Sequence, residues 1–497
     1  MGALSAKKIG LILGPAVFFL IRLIPNPTGL NTEAWKVLAV AAIMLIWWVT
    51  EAVPLAVAAI LPLVLLPLLA VQPINDRGYP AGIEEAMGIG DVSPPYASPI
   101  VFLFMGGFMI ALAMERWGLH RRIALNIVKL TGTNADGILL GFMLATAALS
   151  MWISNTATTV LMLPIALSVI NLLLDDPEEI ENKGMQNFAL SMMLGIAYAA
   201  NIGGTATIIG TPPNVVFAGI MEEQFGVQVS FAQWIIFGLP FALLLLGVTF
   251  FFIVKILHPN RLGEFEGAQA IIAREVERLG PMKEGEKRTL AVFALTALLW
   301  IFRVPISNVL PNGVDLSDAG IAMFATVLLF IVPVDFSKNQ FVLAWRDTEK
   351  LPWGILLLFG GGLSLAGALN DTGLIKLIGD QFSNMGEASF LIILGLAAVS
   401  LFLTEIMSNV ALVVVFLPVV GAIALGADLN LLQVCIPVTL AASCAFMLPM
   451  STPPNAIVFA SGHLKVSQMV RVGLILNLIT ILMVGVLSKW VLPVLFG

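Results

Sequence analysis

Uncharged side chains that can bind ions lie in the middle of two long apolar stretches. The sequence "SNTATTVLMLP" begins at Ser154, and "SNVALVVVFLP" begins at Ser408. Each Ser-Asn interrupts a stretch too long for one membrane span, residues 136–174 and 389–424. At such a break one helix ends with free carbonyl oxygens, which suit Na⁺, and the next begins with free N–H groups, which suit a carboxylate. The serine and asparagine side chains are expected to cap those N–H groups.

The composition places these breaks inside a membrane. Of 497 residues, 59% are hydrophobic and only 11% are charged, and a water-soluble globule cannot bury that much apolar surface. The sequence therefore predicts an all-α polytopic membrane protein with the lipid bilayer as its solvent. The net charge of −6, with basic residues confined to short loops, gives no reason to expect a nucleic-acid partner.

Apolar runs of the length of a membrane span predict about eleven transmembrane helices. They lie at 9–24, 34–50, 52–71, 98–115, 187–220 (interrupted), 232–257, 289–304, 317–334, 352–370, 431–462 (interrupted) and 469–495. The two stretches that contain Ser-Asn are each predicted to form a re-entrant hairpin, which enters and leaves by one side of the membrane. The acidic sequence 175–182 is predicted to be a solvated loop. The mixed-charge segment 255–288 is predicted to be cytoplasmic, with a solvated amphipathic helix inside 264–288.

An internal duplication includes both breaks. The sequence "FMGGFMIALAMERWG" (104–118) matches "FGGGLSLAGALNDTG" (359–373), and "GTPPNVVFAG" (210–219) matches "STPPNAIVFASG" (451–462). The three landmarks recur in one order, which indicates two copies of one folding unit. Five net crossings separate the copies, because a re-entrant hairpin adds none, so the copies are predicted to have opposite orientations. Inverted repeats with broken elements are typical of secondary transporters that bind substrate near the membrane midplane.

Each Thr-Pro-Pro predicts that a helix begins after a second stretch of broken backbone. A threonine at the N-cap followed by proline at the first helical position is a helix start signal. The preceding sequences "ANIGGTAT" (200–207) and "MLPMS" (447–451) are the predicted breaks. The two Ser-Asn motifs, the two Thr-Pro-Pro motifs and the breaks that precede them contain no lysine or arginine. Neutral donors combined with dissociable cations would make anion binding depend on those cations, which is the basis of coupled transport.

Other functions for the same motifs are less well supported. A single Ser-Asn or glycine pair in a membrane helix usually serves helix packing, and only the repetition of all three landmarks favours a transport site. An anion channel is the alternative from another class, but it needs a continuous pore with a selectivity ring. No HExxH, CxxC or nucleophile with a neighbouring base occurs, so we expect neither an enzyme nor a cofactor, with Na⁺ as the coupling ion.

Three acidic residues near the ends of predicted spans, Glu51, Asp371 and Glu405, are interpreted as capping or interfacial groups. Cys435 and Cys444 lie in apolar surroundings with no metal-binding spacing, and we expect them to be buried free thiols.

The sequence resembles the divalent anion:sodium symporter family, which transports succinate, malate, fumarate, citrate and, in some members, sulfate. The likeness runs from "WWVTEAVPLAV" (47–57) through both Ser-Asn turns to the last Thr-Pro-Pro. It implies sodium-coupled transport of dicarboxylates of the succinate, malate, fumarate and 2-oxoglutarate class by a homodimer with an elevator mechanism, in the bacterial plasma membrane. The expected parts are scaffold helices in 1–97, the first inverted repeat in 98–231, scaffold helices with the mixed-charge segment in 232–350, and the second inverted repeat with the last helix in 351–497.

The resemblance also implies which residues contact ions and substrate. The first sodium site would use Ser150, Ser154 and Asn155 with backbone oxygens near Ala200 and Gly203. The second would use Thr404, the backbone of Met407, Asn409 and Ser451. The substrate would contact Ser154, Asn155, Thr156, Asn201, Ser408, Asn409, Val410, Thr452 and Pro453.

One residue departs from the family pattern. The second motif of the family commonly ends in threonine, and Val410 stands there. Valine cannot donate, so one hydrogen bond to substrate, worth about 0.5 to 1.5 kcal/mol, is missing. This departure implies either an altered substrate preference or sodium-independent exchange of one dicarboxylate for another, which remains the alternative within the family.

Overall fold

The computed structural model of this chain describes residues 5–27, 30–75, 79–132, 134–173, 182–262, 266–311, 314, 316–382 and 389–496. The predicted acidic loop 175–182 lies outside these residues except for Asn182. The described chain is mostly helical, and buried apolar side chains from almost every helix form its core.

The N-terminal part begins with helices separated by short turns. Asn31 caps α2 by accepting a hydrogen bond from the backbone N–H of Ala34 at 2.7 Å. The predicted span 52–71 is divided into two short helices, α3 and α4, and Pro62, which has no N–H to donate, lies in the first turn of α4. The helices are α1 (Ala6–Leu23), α2 (Thr32–Thr50), α3 (Leu55–Ala58), α4 (Leu61–Leu68), α5 (Ile89–Val92), α6 (Pro99–Trp117) and α7 (Leu119–Leu130), with 3₁₀ turns at Ile83–Glu85 and Pro94–Ala97.

The first copy of the repeat continues with two helix pairs, each interrupted in its middle. Residues 151–154 separate the first pair, as the sequence predicts. Residues 205–211 separate the second pair, so this break begins later than the predicted 200–207, and residues 200–204 remain in the helix. The helices are α8 (Ala135–Ser150), α9 (Asn155–Leu173), α10 (Lys183–Gly204) and α11 (Pro212–Phe225).

The middle of the chain contains helices and one short β-hairpin that the all-α prediction did not include. The strands β1 (Pro333–Asp335) and β2 (Gln340–Phe341) pair in antiparallel fashion. The helices are α12 (Phe231–Phe251), which continues as a π-helix over Phe252–Leu257, then α13 (Glu266–Leu279), α14 (Glu284–Ile301), α15 (Arg303–Ser307) and α16 (Asp318–Ile331), followed by a 3₁₀ turn at Trp345–Lys350.

The helix α13 confirms the predicted amphipathic helix of the mixed-charge segment. It packs against α7, and Arg121 of α7 lies 2.5 Å from Glu275 of α13. Arg122 pairs with the buried Glu286 at 3.0 Å and donates to the backbone oxygen of Gly280. Charged and polar groups of the segment 255–288 are therefore paired with α7 and are not only solvated.

The second copy repeats the order of the first. Its breaks fall at residues 405–408 and 444–452. The helices are α17 (Trp353–Asp371), α18 (Leu374–Asp380), α19 (Ser389–Thr404), α20 (Asn409–Gly426), α21 (Leu431–Ser443), α22 (Pro453–Phe459), α23 (Val466–Val486), which continues as a π-helix over Leu487–Val491, and α24 (Leu492–Phe496).

Equivalent residues of the two copies have equivalent conformations. Gly118 ends α6 with φ 74° and ψ 16°, and Gly373 follows α17 with φ 73° and ψ 9°. This left-handed conformation favours glycine, which explains why both copies carry glycine there. The copies also exchange contacts, because α9 of the first packs against α22 of the second, and α20 of the second packs against α11 of the first.

Every predicted membrane span contains at least one helix. Six helical segments within the described residues are long and apolar enough to cross a membrane: Thr32–Thr50, Ile89–Trp117, Phe231–Leu257, Trp353–Asp371, Asn409–Gly426 and Val466–Phe496. Six shorter apolar helices include both α8 and α9. The count of eleven crossings and the re-entrant path of the hairpins stay predictions.

Candidate functional site

The first Ser-Asn break brings together oxygen atoms from three segments. The helix α8 ends at Ser150, and α9 begins at Asn155. The Ser150 Oγ lies 2.6 Å from Asn155 Oδ1 and 2.7 Å from the backbone oxygen of Ala200, near the end of α10. Bare carbonyls at the end of a broken membrane helix suit a small cation such as Na⁺. Three of the residues predicted for the first sodium site therefore meet.

The second Ser-Asn break has the same arrangement. The helix α19 ends at Thr404, and α20 begins at Asn409. The Thr404 Oγ1 lies 2.8 Å from Asn409 Oδ1 and 2.8 Å from the backbone oxygen of Ala442, near the end of α21. In both copies a hydroxyl five residues before the asparagine joins the turn to the neighbouring broken helix. Thr404 and Asn409 are thus together as predicted.

Two asparagines that the sequence analysis missed stabilise the broken backbone. Asn214 donates from Nδ2 to the backbone oxygens ten and seven positions earlier, at 3.2 and 2.9 Å. Asn455 donates to the backbone oxygens at the same two offsets, both at 3.1 Å. Both are fully buried, so unpaired carbonyls there would be costly. The signal that identifies them is the fourth residue of the repeated Thr-Pro-Pro-Asn.

Asn201 connects the two copies at the site. Its Nδ2 lies 3.1 Å from Thr452 Oγ1 and 3.3 Å from the backbone oxygen of Ala445, both in the second copy. Its Oδ1 is buried and has no hydrogen-bond partner among the described residues. One turn earlier, the hydroxyl of Tyr198 donates to the backbone oxygen of Phe446 at 2.8 Å. The end of α10 therefore lies against the second broken segment.

Glu405 caps the second broken segment from inside the protein. Its Oε1 accepts from the backbone N–H groups of Phe446 and Met447 at 2.8 and 2.9 Å, and its Oε2 accepts from that of Leu448 at 3.1 Å. The Asn477 side chain of α23 donates to Oε1 at 2.8 Å. The interpretation of Glu405 as a capping group is confirmed, but it caps a segment about forty positions away and is only 3% exposed.

The other residues predicted to contact substrate differ between the two copies in their hydrogen bonds and exposure. The Ser154 Oγ caps α9 by accepting from the backbone N–H of Ala157 at 3.2 Å, as predicted. Ser408 makes no such bond at the start of α20, so that part of the capping prediction is wrong. Its backbone torsions (φ −59°, ψ 128°) begin the helix without a side-chain cap. Thr156 is exposed and Val410 is half-buried.

The Thr-Pro-Pro motifs begin helices as predicted. Both threonines occupy N-cap positions, and Thr452 Oγ1 accepts from the backbone N–H of Asn455, whereas Thr211 makes no side-chain cap bond. Pro453 is the exposed first residue of α22. Ser451 donates to the backbone oxygen of Leu448 at 2.7 Å.

The two residues Gly203 and Met407, predicted to bind sodium through backbone oxygens, lie in or next to the breaks. Gly203 packs directly against Ala147 of α8. Met407 lies in the turn between α19 and α20.

The site contains one formal charge among the residues described. None of the ion pairs that the described residues form includes a residue predicted to bind sodium or substrate. The described residues also include no group of three or more His, Cys, Asp and Glu side chains that could hold a metal ion. Cys435 and Cys444 are buried free thiols, as expected. The charge of Glu405 is therefore the exception in an otherwise neutral site.

Gly204→Ala is expected to lower transport at least about tenfold while the protein still folds, because the methyl group displaces a site residue. A Cβ at Gly204 would lie 2.6 Å from Asn155 Oδ1 and 3.2 Å from its Nδ2. The Asn155 amide must move, and the cluster around Ser150 then loses its geometry. The measurement is substrate uptake by the purified variant in proteoliposomes.

Gly195→Ala is the matched control in the same helix. A Cβ there would meet Met143 Cγ at 3.0 Å, and the flexible methionine can move away. We expect the control to transport at close to the wild-type rate. Equal rates for the two variants would contradict the placement of Asn155 at the site.

The chain is similar in sequence to known transporters. A family model described as the sodium:sulfate symporter transmembrane region matches residues 5–497. The sodium-dependent dicarboxylate transporter SdcS of Staphylococcus aureus strain bovine RF122 / ET3-1 is 40% identical over 496 residues, which covers 99% of this chain and 92% of that protein. SdcS of strain MRSA252 is 39% identical over the same shares.

Two solved structures resemble this chain in fold. The YdaH transporter of Alcanivorax borkumensis has a TM-score of 0.54 at 12% identity, covering 92% of this chain and 98% of that one. MtrF of Neisseria gonorrhoeae, described within a class of antimetabolite efflux pumps, has a TM-score of 0.56 at 14% identity, covering 94% and 97%. At these identities the likeness shows a shared membrane-transporter fold and nothing about substrate.

Proposed function

The chain belongs to the sodium:sulfate symporter family, and from that membership we propose that it carries C4 or C5 dicarboxylates across the plasma membrane together with sodium ions. It is an integral membrane protein, and the relatives it matches are transporters, which supports transport and not catalysis. The observation that carries the proposal is the pair of equivalent oxygen clusters around Ser150 and Thr404.

The amides of Asn155 and Asn409 are proposed to bind both the cations and the substrate. Each Oδ1 faces a hydroxyl of its own cluster, while neither Nδ2 makes a hydrogen bond within the described part of the chain. The N–H groups at the beginnings of α9 and α20 add partial positive charge. A carboxylate placed between these donors would be held by neutral groups only.

Sodium is proposed to be the missing positive charge. Two sodium ions, one in each cluster, would neutralise a dicarboxylate whose site contains no lysine or arginine. Anion affinity then depends on sodium, which couples the two fluxes. Each further net charge that crosses the membrane in a cycle would change the driving force for transport by about 2.3 kcal/mol per 100 mV of membrane potential.

An elevator movement is proposed for the transport step. In this scheme the α8–α9 and α19–α20 pairs are re-entrant hairpins, which move with the broken helices as a transport domain. Helices from 1–97 and 232–350 form the scaffold, and two protomers associate through their scaffolds. The exchange of contacts between α9 and α22, and between α20 and α11, supports the grouping of both hairpins into one body.

Sodium-independent exchange of dicarboxylates is the second candidate, and Val410 favours it. Thr156 of the first copy has a hydroxyl at the equivalent position, so the second copy has one potential substrate donor fewer. A site with weaker anion binding in one half would change substrate preference in a symporter as well. Flux measurements separate the two mechanisms.

The test is uptake of labelled succinate, malate or 2-oxoglutarate by proteoliposomes containing the purified protein. We expect saturable uptake that requires an inward sodium gradient and proceeds without internal dicarboxylate. Uptake that ignores sodium and requires internal dicarboxylate would select the exchanger and contradict the symport mechanism. Flux without saturation or counterflow would indicate a channel and contradict both.

A further inference from the structure

We propose that Glu405 supplies a fixed negative charge that makes the second sodium site the stronger of the two. The inference rests on the proposed function, since it assigns the strength of one cation site to a residue beside it. Glu405 directly follows Thr404, whose hydroxyl lies at the centre of the second oxygen cluster. It acts as a positioning and electrostatic group and is not itself a ligand.

The hydrogen bonds of Glu405 are those of an ionised carboxylate. Three backbone N–H groups and one side-chain amide donate to it, and all four distances lie between 2.8 and 3.1 Å. An ionised carboxylate only accepts hydrogen bonds, and every partner of Glu405 among these four is a donor. No lysine, arginine or histidine forms an ion pair with it in the part of the chain that the structure describes. The charge is therefore stabilised by dipoles but not cancelled.

The same carboxylate joins the two segments that carry the second site. It belongs to the turn after α19, and it holds the amides of residues 446–448 in the second broken segment. The backbone oxygen of Leu448 accepts from the hydroxyl of Ser451, a predicted sodium ligand. Thr404 and Ser451, two predicted ligands of the second sodium site, are thus linked through Glu405 and the segment that it caps.

The first copy has no such charge. Met151 follows Ser150 and stands at the position equivalent to Glu405. Its backbone oxygen accepts from Thr207 Oγ1 at 2.5 Å, and the residue lines a cavity of about 270 Å³ whose other lining residues are all apolar or glycine. The two clusters of hydroxyl, amide and carbonyl oxygens are alike, so the difference in formal charge distinguishes them.

A unit charge about 6 to 10 Å from a cation, at an effective dielectric constant of about 20, changes cation affinity by roughly one to two orders of magnitude. We therefore expect the second site to fill at lower sodium concentration than the first. Removal of the charge should make the two sites more nearly equal and raise the sodium concentration that transport requires.

The test titrates sodium at saturating dicarboxylate in proteoliposomes that contain the full-length protein. Glu405→Gln is expected to raise the sodium concentration for half-maximal uptake at least about tenfold, and to leave the substrate KM at saturating sodium within about threefold of wild type. Glu405→Asp keeps the charge and should restore sodium affinity. Met151→Gln puts the same side chain at the equivalent position of the first copy without removing a charge, and should change half-maximal sodium by less than about threefold.

Asn477→Leu decides the question even where Glu405→Gln yields no folded protein. It removes one neutral donor and a buried unpaired Oδ1 but keeps the charge. If the charge of Glu405 sets sodium affinity, the sodium concentration for half-maximal uptake stays the same or falls in Asn477→Leu. If Glu405 only holds the broken segment in place, Asn477→Leu raises it, since the carboxylate is less well fixed.

The outcomes separate this inference from the proposed function. Wild-type uptake that ignores sodium overturns the proposed symport and this inference together. Sodium-dependent wild-type uptake with half-maximal sodium unchanged in Glu405→Gln, or with half-maximal sodium raised in Asn477→Leu, overturns this inference alone. A lower maximal rate and a higher substrate KM in Glu405→Gln at unchanged sodium affinity would place the role of Glu405 outside sodium binding and would also overturn this inference.

Discussion

Asn155→Ala and Asn409→Ala should each abolish dicarboxylate uptake in a protein that still folds. Each amide oxygen lies within 2.8 Å of the hydroxyl of its cluster, at Ser150 or Thr404. Truncation removes a proposed cation ligand and a proposed donor to the substrate carboxylate in one step. Loss of a donor to a charged group costs about 1.5 to 3 kcal/mol, and the lost ligand adds to this, so uptake should fall at least about 100-fold.

Uptake of labelled succinate measures the effect, and thermal unfolding of the purified variants measures folding. Asn126→Ala is the matched control, because Asn126 is exposed on α7 and, among the described residues, donates only to the backbone oxygen of Arg122 at 2.8 Å. The same chemical change there should leave uptake unaltered. Retention of more than about a tenth of the wild-type rate by either site variant would remove that asparagine from the site.

The double variant Gly362→Cys, Val414→Cys is expected to lose transport on oxidation and regain it on reduction. Gly362 lies in α17, which packs against α2, α3 and α4. Val414 lies in α20, one helix of the second proposed hairpin. The helix α17 lies outside the ranges assigned to the scaffold, but it packs against these scaffold helices. A disulfide that joins α17 to α20 is therefore expected to hold the proposed transport domain in place, so an elevator movement could not occur.

The geometry favours formation of this disulfide. A Cβ at Gly362 would lie 3.2 Å from the Cβ of Val414, and disulfides need about 3.5 to 4.5 Å, so a shift of a few tenths of an ångström is sufficient. The native Cys435 and Cys444 are fully buried and will not compete. The two single variants are the controls, and oxidation should not change their transport.

The measurement is uptake by the oxidised and by the reduced double variant. The loss of free thiols reports how completely the disulfide has formed. Complete crosslinking combined with transport near the wild-type rate would contradict an elevator that moves α20 past α17. It would favour a mechanism in which only the hairpin tips open. Sodium binding should persist in the crosslinked protein, because the disulfide does not touch either oxygen cluster.

Local features of the chain were predictable from sequence because local chemistry determines them. Proline at the first helical position, glycine where φ is positive, and Ser-Asn in the middle of an apolar run each state a requirement of the backbone at that residue. The starts of α9, α11, α20 and α22 followed from such signals. The division of 52–71 into two helices and the β-hairpin did not, because hydropathy over a window of a membrane span does not resolve elements of two to eight residues.

Contacts between distant residues required the tertiary structure. The resemblance implied that Asn201 contacts substrate, and Glu405 was interpreted as a capping or interfacial group. The sequence did not show that Asn201 bonds to Thr452 or that Glu405 caps residues 446–448. Glu405 in particular was expected near the end of a span, since its neighbours in sequence form a helix end. Only folding shows that this helix end lies inside the protein against a second broken segment.

The sequence by itself determined that this is a membrane protein, that it contains an internal duplication, and where the Ser-Asn and Thr-Pro-Pro motifs interrupt its helices. Hydropathy, repetition and capping chemistry are properties of contiguous residues and can be read along the chain. The tertiary structure alone decided which breaks meet, which backbone oxygens the asparagines bind, and that Glu405 caps the second broken segment while the equivalent Met151 lines an apolar cavity. Those properties depend on the packing of segments up to about 250 positions apart, and no pattern within a single segment encodes that packing.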